Sequence, residues 1–149
     1  AILEYLDEVW PEPALLPATA RERARVRALA ELVACDIHPL NNLRVMRYFE
    51  GTWGVPQAER DDWTRHWMAE GFQAFETLLA DHPSTGAFCD GNAPTIADCC
   101  LVPQLYNARR FNLDLTPYPT MRRIEATCQA LPAFEAARPE RQPDAPAAH

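Results

Sequence analysis

Residues 93–111 read APTIADCCLVPQLYNARRF, and this stretch decides the fold. Thr95 and Asp98 are spaced as a capping box: the Thr hydroxyl serves one free backbone N–H of a first helical turn, and the Asp reaches back to another. Beyond the cap, Ile96, Ala97, Cys99, Cys100, Leu101, Val102 and Leu105 surround most of the helix circumference. A helix apolar on so many sides is covered on several sides, so this one is expected at the centre of the molecule. It emerges into polar residues at Asn107, Arg109 and Arg110.

Working outward, Thr19 and Glu22 form a second capping box. They open a long helix whose apolar stripe runs through Val26, Leu29, Val33, Ile37, Leu40, Leu43, Met46 and Phe49 and ends at Gly51. Another long helix follows Pro56, with Trp63, Trp67, Phe75 and Leu78 on one stripe and Met68, Phe72 and Leu79 widening it. Gly71 lies on that stripe at a cost of ~1 kcal/mol in helix propensity, so a neighbouring backbone is expected to pack close there. Residues 84–94, STGAFCDGNAP, read as a loop. After residues 113–121, LDLTPYPTM, a shorter helix is expected from about Thr120 to Ala130, and a brief one follows Pro132.

At the front of the chain AILEYLDEVW spaces Ile2, Leu3, Leu6, Val9 and Trp10 as a helix, and the prolines of PEPALLPA make an extended connector. Neither an initiator Met nor a capping residue stands before this helix, so the chain is expected to begin in mid-helix, as a fragment or a domain cut from a longer protein. No stretch alternates apolar and polar residues for long enough to make a strand. The expected fold is all-α: about six helices packed around the Thr95-capped one, with the domain spanning residues 18–138. Residues 139–149, polar and proline-rich, are expected to wrap a surface or stay disordered.

With 149 residues, the chain fits one domain that buries roughly 70% of its unfolded surface. Its 14 basic against 21 acidic residues argue against nucleic acid and anionic membrane surfaces, both of which reward clustered positive charge. Five cysteines, with no CxxC pair, fit free thiols in a reducing compartment better than disulfides or a zinc site. No apolar run reaches the roughly 18 residues of a membrane helix, and no signal peptide is visible. A soluble cytoplasmic protein is the expectation.

GxSxG, HExxH, GxGxxG and phosphate-cradling glycine loops are absent. Vicinal Cys99 and Cys100 point about 100° apart on their helix, so packed, inert thiols are expected there. His66 and His82 are expected on solvated surface. Residues 35–46, CDIHPLNNLRVM, carry more. Pro39 has no N–H and would leave the Cys35 carbonyl unpaired, bending the helix where His38, Asn41, Asn42 and Arg44 cluster. These side chains either satisfy freed backbone groups or face a ligand, and spacing leaves both open. Arg109 and Arg110 pose a similar choice. Basic residues suit a helix C-terminus, and a guanidinium also suits a carboxylate, whose two oxygens match its planar fork.

Taken together, AILEYLDEVWPEPALLP, CDIHPLNNLRVMRYF, APTIADCCLVPQLYNARRFNLDLTPYP and the RQPD of the tail resemble the C-terminal helical region of zeta-class glutathione S-transferases, the maleylacetoacetate and maleylpyruvate isomerases. The likeness covers essentially the whole chain, and HPLNNLR and ARRFNLDLTPYP point to that class in particular. It implies a parent enzyme in which a thioredoxin-like N-terminal domain binds glutathione and an all-α C-terminal domain supplies much of the substrate pocket. Residues 1–17 would then be the end of a helix and linker from that missing domain. The family's thiolate-activating Ser-Ser-Cys cluster has no counterpart here, so no catalytic residue is assigned.

By matching motif, the resemblance implies that His38, Asn42 and Arg44 contact glutathione and that Arg110 holds a substrate carboxylate. Arg109, which family members vary, is left out, and no metal is implied. The implied reaction is glutathione-dependent cis–trans isomerisation of a maleyl keto acid to its fumaryl isomer in aromatic or tyrosine catabolism, which requires charge stabilisation and anchoring of a dicarboxylate. A homodimer is the implied assembly. Two other readings stand beside it: a non-catalytic helical interaction module, and a zeta-class transferase acting on other electrophiles.

Overall fold

The computed structural model describes residues 1–145 of the chain. Its elements are α1 (Ile2–Val9), α2 (Ala20–Glu31), a π-helical segment (Leu32–Ile37), α3 (His38–Leu40), α4 (Leu43–Trp53), α5 (Gln57–Ala80), α6 (Ile96–Arg110), α7 (Pro119–Gln129), α8 (Pro132–Ala136) and a 3-10 turn (Pro139–Arg141). There is no strand among the described residues, and no helix is long and apolar enough to cross a membrane.

The capping box of α6 is present and goes further than a local cap. Asp98 is fully buried. One carboxylate oxygen accepts the Thr95 N–H and hydroxyl, each at 2.8 Å, and the other accepts the Cys89 N–H at 2.9 Å, so one side chain ties the preceding loop to the helix. From this anchor α6 packs against α2, the π segment and α7 through Ile96, Ala97, Leu101, Leu105 and Ala108. Its remaining side is open, contrary to the expectation from its apolar circumference: Cys99, Cys100 and Val102 are half-buried and Tyr106 is exposed. Pro103 lies within this helix, on the exposed side.

The long helix expected from Thr19 to Gly51 is divided. After α2 the backbone widens into π geometry, in which the His38 N–H reaches five residues back to the Val33 carbonyl. This widening falls just before Pro39, which has no N–H to offer the tighter ladder. The chain then breaks at Asn41 and Asn42, and Asn42, in extended conformation, caps α4 by accepting the Arg44 N–H at 3.1 Å. Gly51 is an ordinary helical residue, and α4 ends instead at Gly54, whose φ of 63° is the left-handed conformation of a helix terminus.

On α5 the buried stripe is Thr64, Met68, Gly71, Phe72, Phe75 and Leu79. It is rotated from the expected one: Trp63 and Trp67 are half-buried and Leu78 faces outward. What approaches Gly71 is the side chain of Ile37, not a backbone. Further along α5, the buried carboxylate of Glu76 accepts the N–H groups of Thr120 and Met121 at 2.8 and 3.0 Å, capping α7 from a distant helix.

α1 is fastened by an ion pair between Glu4 and Arg27 and by the Leu15 N–H donating to Asp7. Its Ile2, Tyr5, Leu6 and Val9 are exposed, and Leu3 alone of its stripe packs on the core. The tail follows a surface: Tyr106 donates to Glu140 at 2.9 Å and Arg141 pairs with Glu135 at 2.8 Å. Residues 146–149 of the expected tail lie outside the described residues.

Candidate functional site

The break between α3 and α4 exposes the side chains that sequence motifs single out. His38 and Arg44 are exposed, Asn42 is half-buried, and Asn41 turns inward, its Nδ2 donating to the Ile37 carbonyl at 3.3 Å. Asn42 has a structural duty, since its Oδ1 accepts the Arg44 N–H. Its Nδ2, the His38 ring and the Arg44 guanidinium have no partner among the described residues. An imidazole, an amide and a guanidinium at the N-terminus of an 11-residue helix can hold a peptide that carries carboxylates and amides. The donor set therefore fits glutathione.

The two arginines at the end of α6 differ in what they touch. Arg109 makes a two-pronged pair with Glu125 of α7, a residue only 3% exposed. Arg110 is exposed, with no hydrogen bond or ion pair among the described residues. Its neighbour is committed to the fold, and the Arg110 fork is uncommitted among the described residues.

Helix α5 brings the two regions to one end of the bundle. The Trp63 indole donates to the Leu40 carbonyl at 2.8 Å, Arg65 donates to the Phe111 carbonyl at 3.2 Å, and Met68 lies 3.9 Å from Asn107 Nδ2. Residues 63–68 of α5 thus border both the α3–α4 break and the C-terminal end of α6. Three hollows mark the surface, of about 500, 380 and 470 Å³, and none is lined by His38, Asn42, Arg44 or Arg110. His38, Arg44 and Arg110 are exposed and Asn42 is half-buried.

The packed thiols are held in the protonated form. Burial pushes Cys99 up to about 11 and Cys128 up to about 12, with the carboxylate of Asp98 adding to both. Cys89 is raised further still, by the same causes in the same order. No group of His, Cys, Asp and Glu that could hold a metal occurs among the described residues. His66 is exposed beside Trp67, and exposed His82 accepts the Ser84 N–H. The sequence reading missed Gln104, 3% exposed in the middle of α6. A polar residue among apolar ones was the available signal.

Comparison with known proteins places the chain in a family. The family profile "Glutathione S-transferase, C-terminal domain" matches residues 57–138. The maleylpyruvate isomerase of a Ralstonia species is 52% identical over 144 residues, covering 97% of this chain and 68% of that protein. A probable maleylacetoacetate isomerase of Vibrio cholerae is 50% identical over 145 residues, covering 97% and 66%. Among solved structures, the holo form of a maleylpyruvate isomerase, described as a bacterial zeta-class glutathione S-transferase, superposes with a TM-score of 0.95 at 51% identity, covering 97% of this chain and 68% of that one. The maleylacetoacetate isomerase of Anaeromyxobacter dehalogenans, solved with bound dicarboxyethyl glutathione and citrate, gives 0.92 at 54%, covering 98% and 66%.

The chain belongs to the glutathione S-transferase family, as an all-α C-terminal domain of that fold. Within the family its likeness is to the zeta class. It spans about two thirds of the length of these relatives.

Proposed function

We propose that this chain is the C-terminal, substrate-pocket part of a glutathione-dependent cis–trans isomerase that converts a maleyl keto acid, maleylacetoacetate or maleylpyruvate, to its fumaryl isomer in the breakdown of tyrosine or other aromatic compounds. The observation that carries the reading is Arg110: an uncommitted guanidinium at the end of the central helix, beside an arginine locked into an ion pair. The names of the relatives support the reaction, and the uncommitted cation supports a part in it for this chain.

In this reading Arg110 takes a carboxylate of the substrate through both prongs of its fork and fixes its orientation. His38, Asn42 and Arg44 hold glutathione at the α3–α4 break, Arg44 as a cation and the other two through their hydrogen-bonding groups. When bound, glutathione supplies the thiol chemistry of the reaction. Cys89, Cys99 and Cys128 do not substitute for it, because burial keeps these thiols protonated at neutral pH. A thioredoxin-like domain, in the part of the relatives' length that this chain does not span, would activate that thiol, and residues 1–17 would be the helix end and linker leading from it. The working unit is a cytoplasmic homodimer.

Arg110→Ala in the complete protein tests the reading. We expect kcat/KM to fall on the order of a hundredfold, the size of losing about 3 kcal/mol of charge-assisted hydrogen bonding, with circular dichroism and melting temperature unchanged. Unaltered kinetics would remove Arg110 from the mechanism. No isomerase activity in the complete protein would favour the non-catalytic helical module, or a transferase of other electrophiles if conjugation is found instead.

A further inference from the structure

Lysine is absent from this chain, so all 14 of its basic residues are arginines, set against 21 acidic ones. Over most of such a surface an anion meets repulsion, and a place where cations gather stands out. Arg109, Arg122 and Arg123 gather around one hollow of about 470 Å³, whose wall also includes Glu125, Ala126 and Gln129.

The spacing on α7 makes this hollow. Pro119, Arg122, Arg123 and Ala126 line it and fall at i, i+3, i+4 and i+7, which puts them on one face of that helix. Ala126 adds only a methyl group to the face, so the space beside the two arginine arms is left open. Arg109 arrives from the last turn of α6, where its two-pronged bond to Glu125 fixes it against α7.

The charges around the hollow decide what it takes. Its one carboxylate is occupied: Glu125, 3% exposed, accepts both prongs of Arg109 and also Gln129 Nε2 at 3.3 Å. Arg109 and Glu125 cancel, and Arg122 and Arg123 are left over. Arg123 gives one N–H to the Ala87 carbonyl at 3.4 Å, and the Arg122 guanidinium has no hydrogen bond or ion pair among the described residues. The acidic groups nearest in chain and fold are engaged elsewhere, Glu76 in capping α7 and Asp114 in accepting the Thr116 N–H at 2.9 Å. Two uncompensated guanidinium forks match a dianion with several oxygens, whereas one carboxylate would leave a cation unanswered. A phosphoryl group carries a charge of about −1.5 to −2 at neutral pH and three acceptor oxygens.

We propose that Arg122 and Arg123, beside the Arg109–Glu125 pair, form a binding site for a phosphate-type oxyanion, either free phosphate or the phosphoryl group of a small phosphomonoester. Arg122 and Arg123 supply the charge, and Arg109 has N–H groups beyond the two that Glu125 takes. Arg110 does not line the hollow, so this site and the carboxylate contact proposed above are separable by mutation.

Isothermal titration calorimetry on the complete protein at physiological ionic strength tests the site, with inorganic phosphate, phenyl phosphate and acetate as probes. We expect saturable phosphate binding that weakens on the order of tenfold in Arg122→Gln/Arg123→Gln, the size of losing charge-assisted hydrogen bonds, and that is unchanged in Arg110→Ala. Tighter binding of phenyl phosphate supports the site and assigns it to a phosphomonoester, and equal or weaker binding supports it and assigns free phosphate. The site is overturned by no saturable binding of either phosphate probe, by acetate competing as well as phosphate, or by an affinity that the double variant leaves unchanged. Binding lost in Arg110→Ala overturns it as well, because the anion then sits at the other arginine. Should the double variant fail to fold, Arg122→Gln decides, since it removes no hydrogen bond or ion pair among the described residues: a several-fold weakening is expected, and unchanged affinity overturns the proposal.

Discussion

The side chain of Ile37 lies directly over Gly71, so that a Cβ added to the glycine would stand 2.2 Å from Cγ1 and 2.5 Å from Cδ1 of the isoleucine. The π segment thereby approaches α5 more closely than any side chain at position 71 permits. Ile37 is 1% exposed and β-branched, which leaves it little room to move aside. Gly71→Ala is expected to destabilise the fold by about 1–3 kcal/mol through overpacking, against a gain of ~1 kcal/mol in helix propensity. Chemical denaturation measures it, and Ile37→Ala should cost less in the Gly71→Ala background than in the unaltered chain; simply additive costs would show that the two residues do not meet.

Asp98 in full burial accepts hydrogen bonds from the Thr95 N–H and hydroxyl, the Cys89 N–H and, at 4.0 Å, the Cys128 thiol. Asp98→Ala leaves those donors unmatched and releases the loop from α6. A loss of about 3–5 kcal/mol is expected from the size of such hydrogen bonds to charge. The check is the denaturation midpoint, and a shift below 1 kcal/mol would refute the anchoring role.

Arg109→Ala strands the carboxylate of Glu125, which is 3% exposed. Since Arg109 itself is half exposed, about 2 kcal/mol of destabilisation is expected, short of the full penalty for a buried charge. Arg109→Ala/Glu125→Leu should restore most of it. Arg110→Ala, which removes no hydrogen bond or ion pair among the described residues, should stay within about 0.5 kcal/mol. The two adjacent arginines would then separate cleanly, one in stability and one in turnover.

Stability should fall on the alkaline side. Burial raises Cys99 to about 11 and Cys128 to about 12, and Cys89 rises as well. Below about pH 8.5 these thiols are protonated in both states and contribute no slope. Above it the unfolded chain releases its protons first, binds fewer than the folded one, and is favoured increasingly up to about pH 11–12. Tyr106, through its bond to Glu140, and buried Tyr118 shift in the same direction. The chain has no lysine to add a titration in this range. Melting temperatures from pH 8 to 11 should decline, and less steeply in Cys99→Ala/Cys128→Ala.

Helix ends were readable where the chemistry is local. Thr19 with Glu22 and Thr95 with Asp98 mark helix starts within three residues of themselves, and Pro119 and Pro132 open α7 and α8 because their fixed φ suits a first turn. Gly51 misled, because a glycine is permitted inside a helix as well as at its end. Only the backbone at Gly54 shows which one turns left-handed. The rotated stripe of α5 has a similar origin: several of its faces are apolar enough to be buried, and the helices that arrive decide which.

The candidate site divides the same way. Sequence motifs singled out His38, Asn42, Arg44 and Arg110, and they determined the all-α class, the central place of α6 and the interruption near Pro39, because periodicity, capping and the missing proline N–H act within a turn or two of chain. Tertiary structure alone decided that Glu125 takes Arg109 and leaves Arg110 uncommitted, that Glu76 caps a helix 44 residues away, and that Asn41 turns inward while Asn42 caps. Hydrogen-bond partners and burial come from segments remote in sequence, and a side chain's duty is settled by whichever group packing brings within about 3 Å of it.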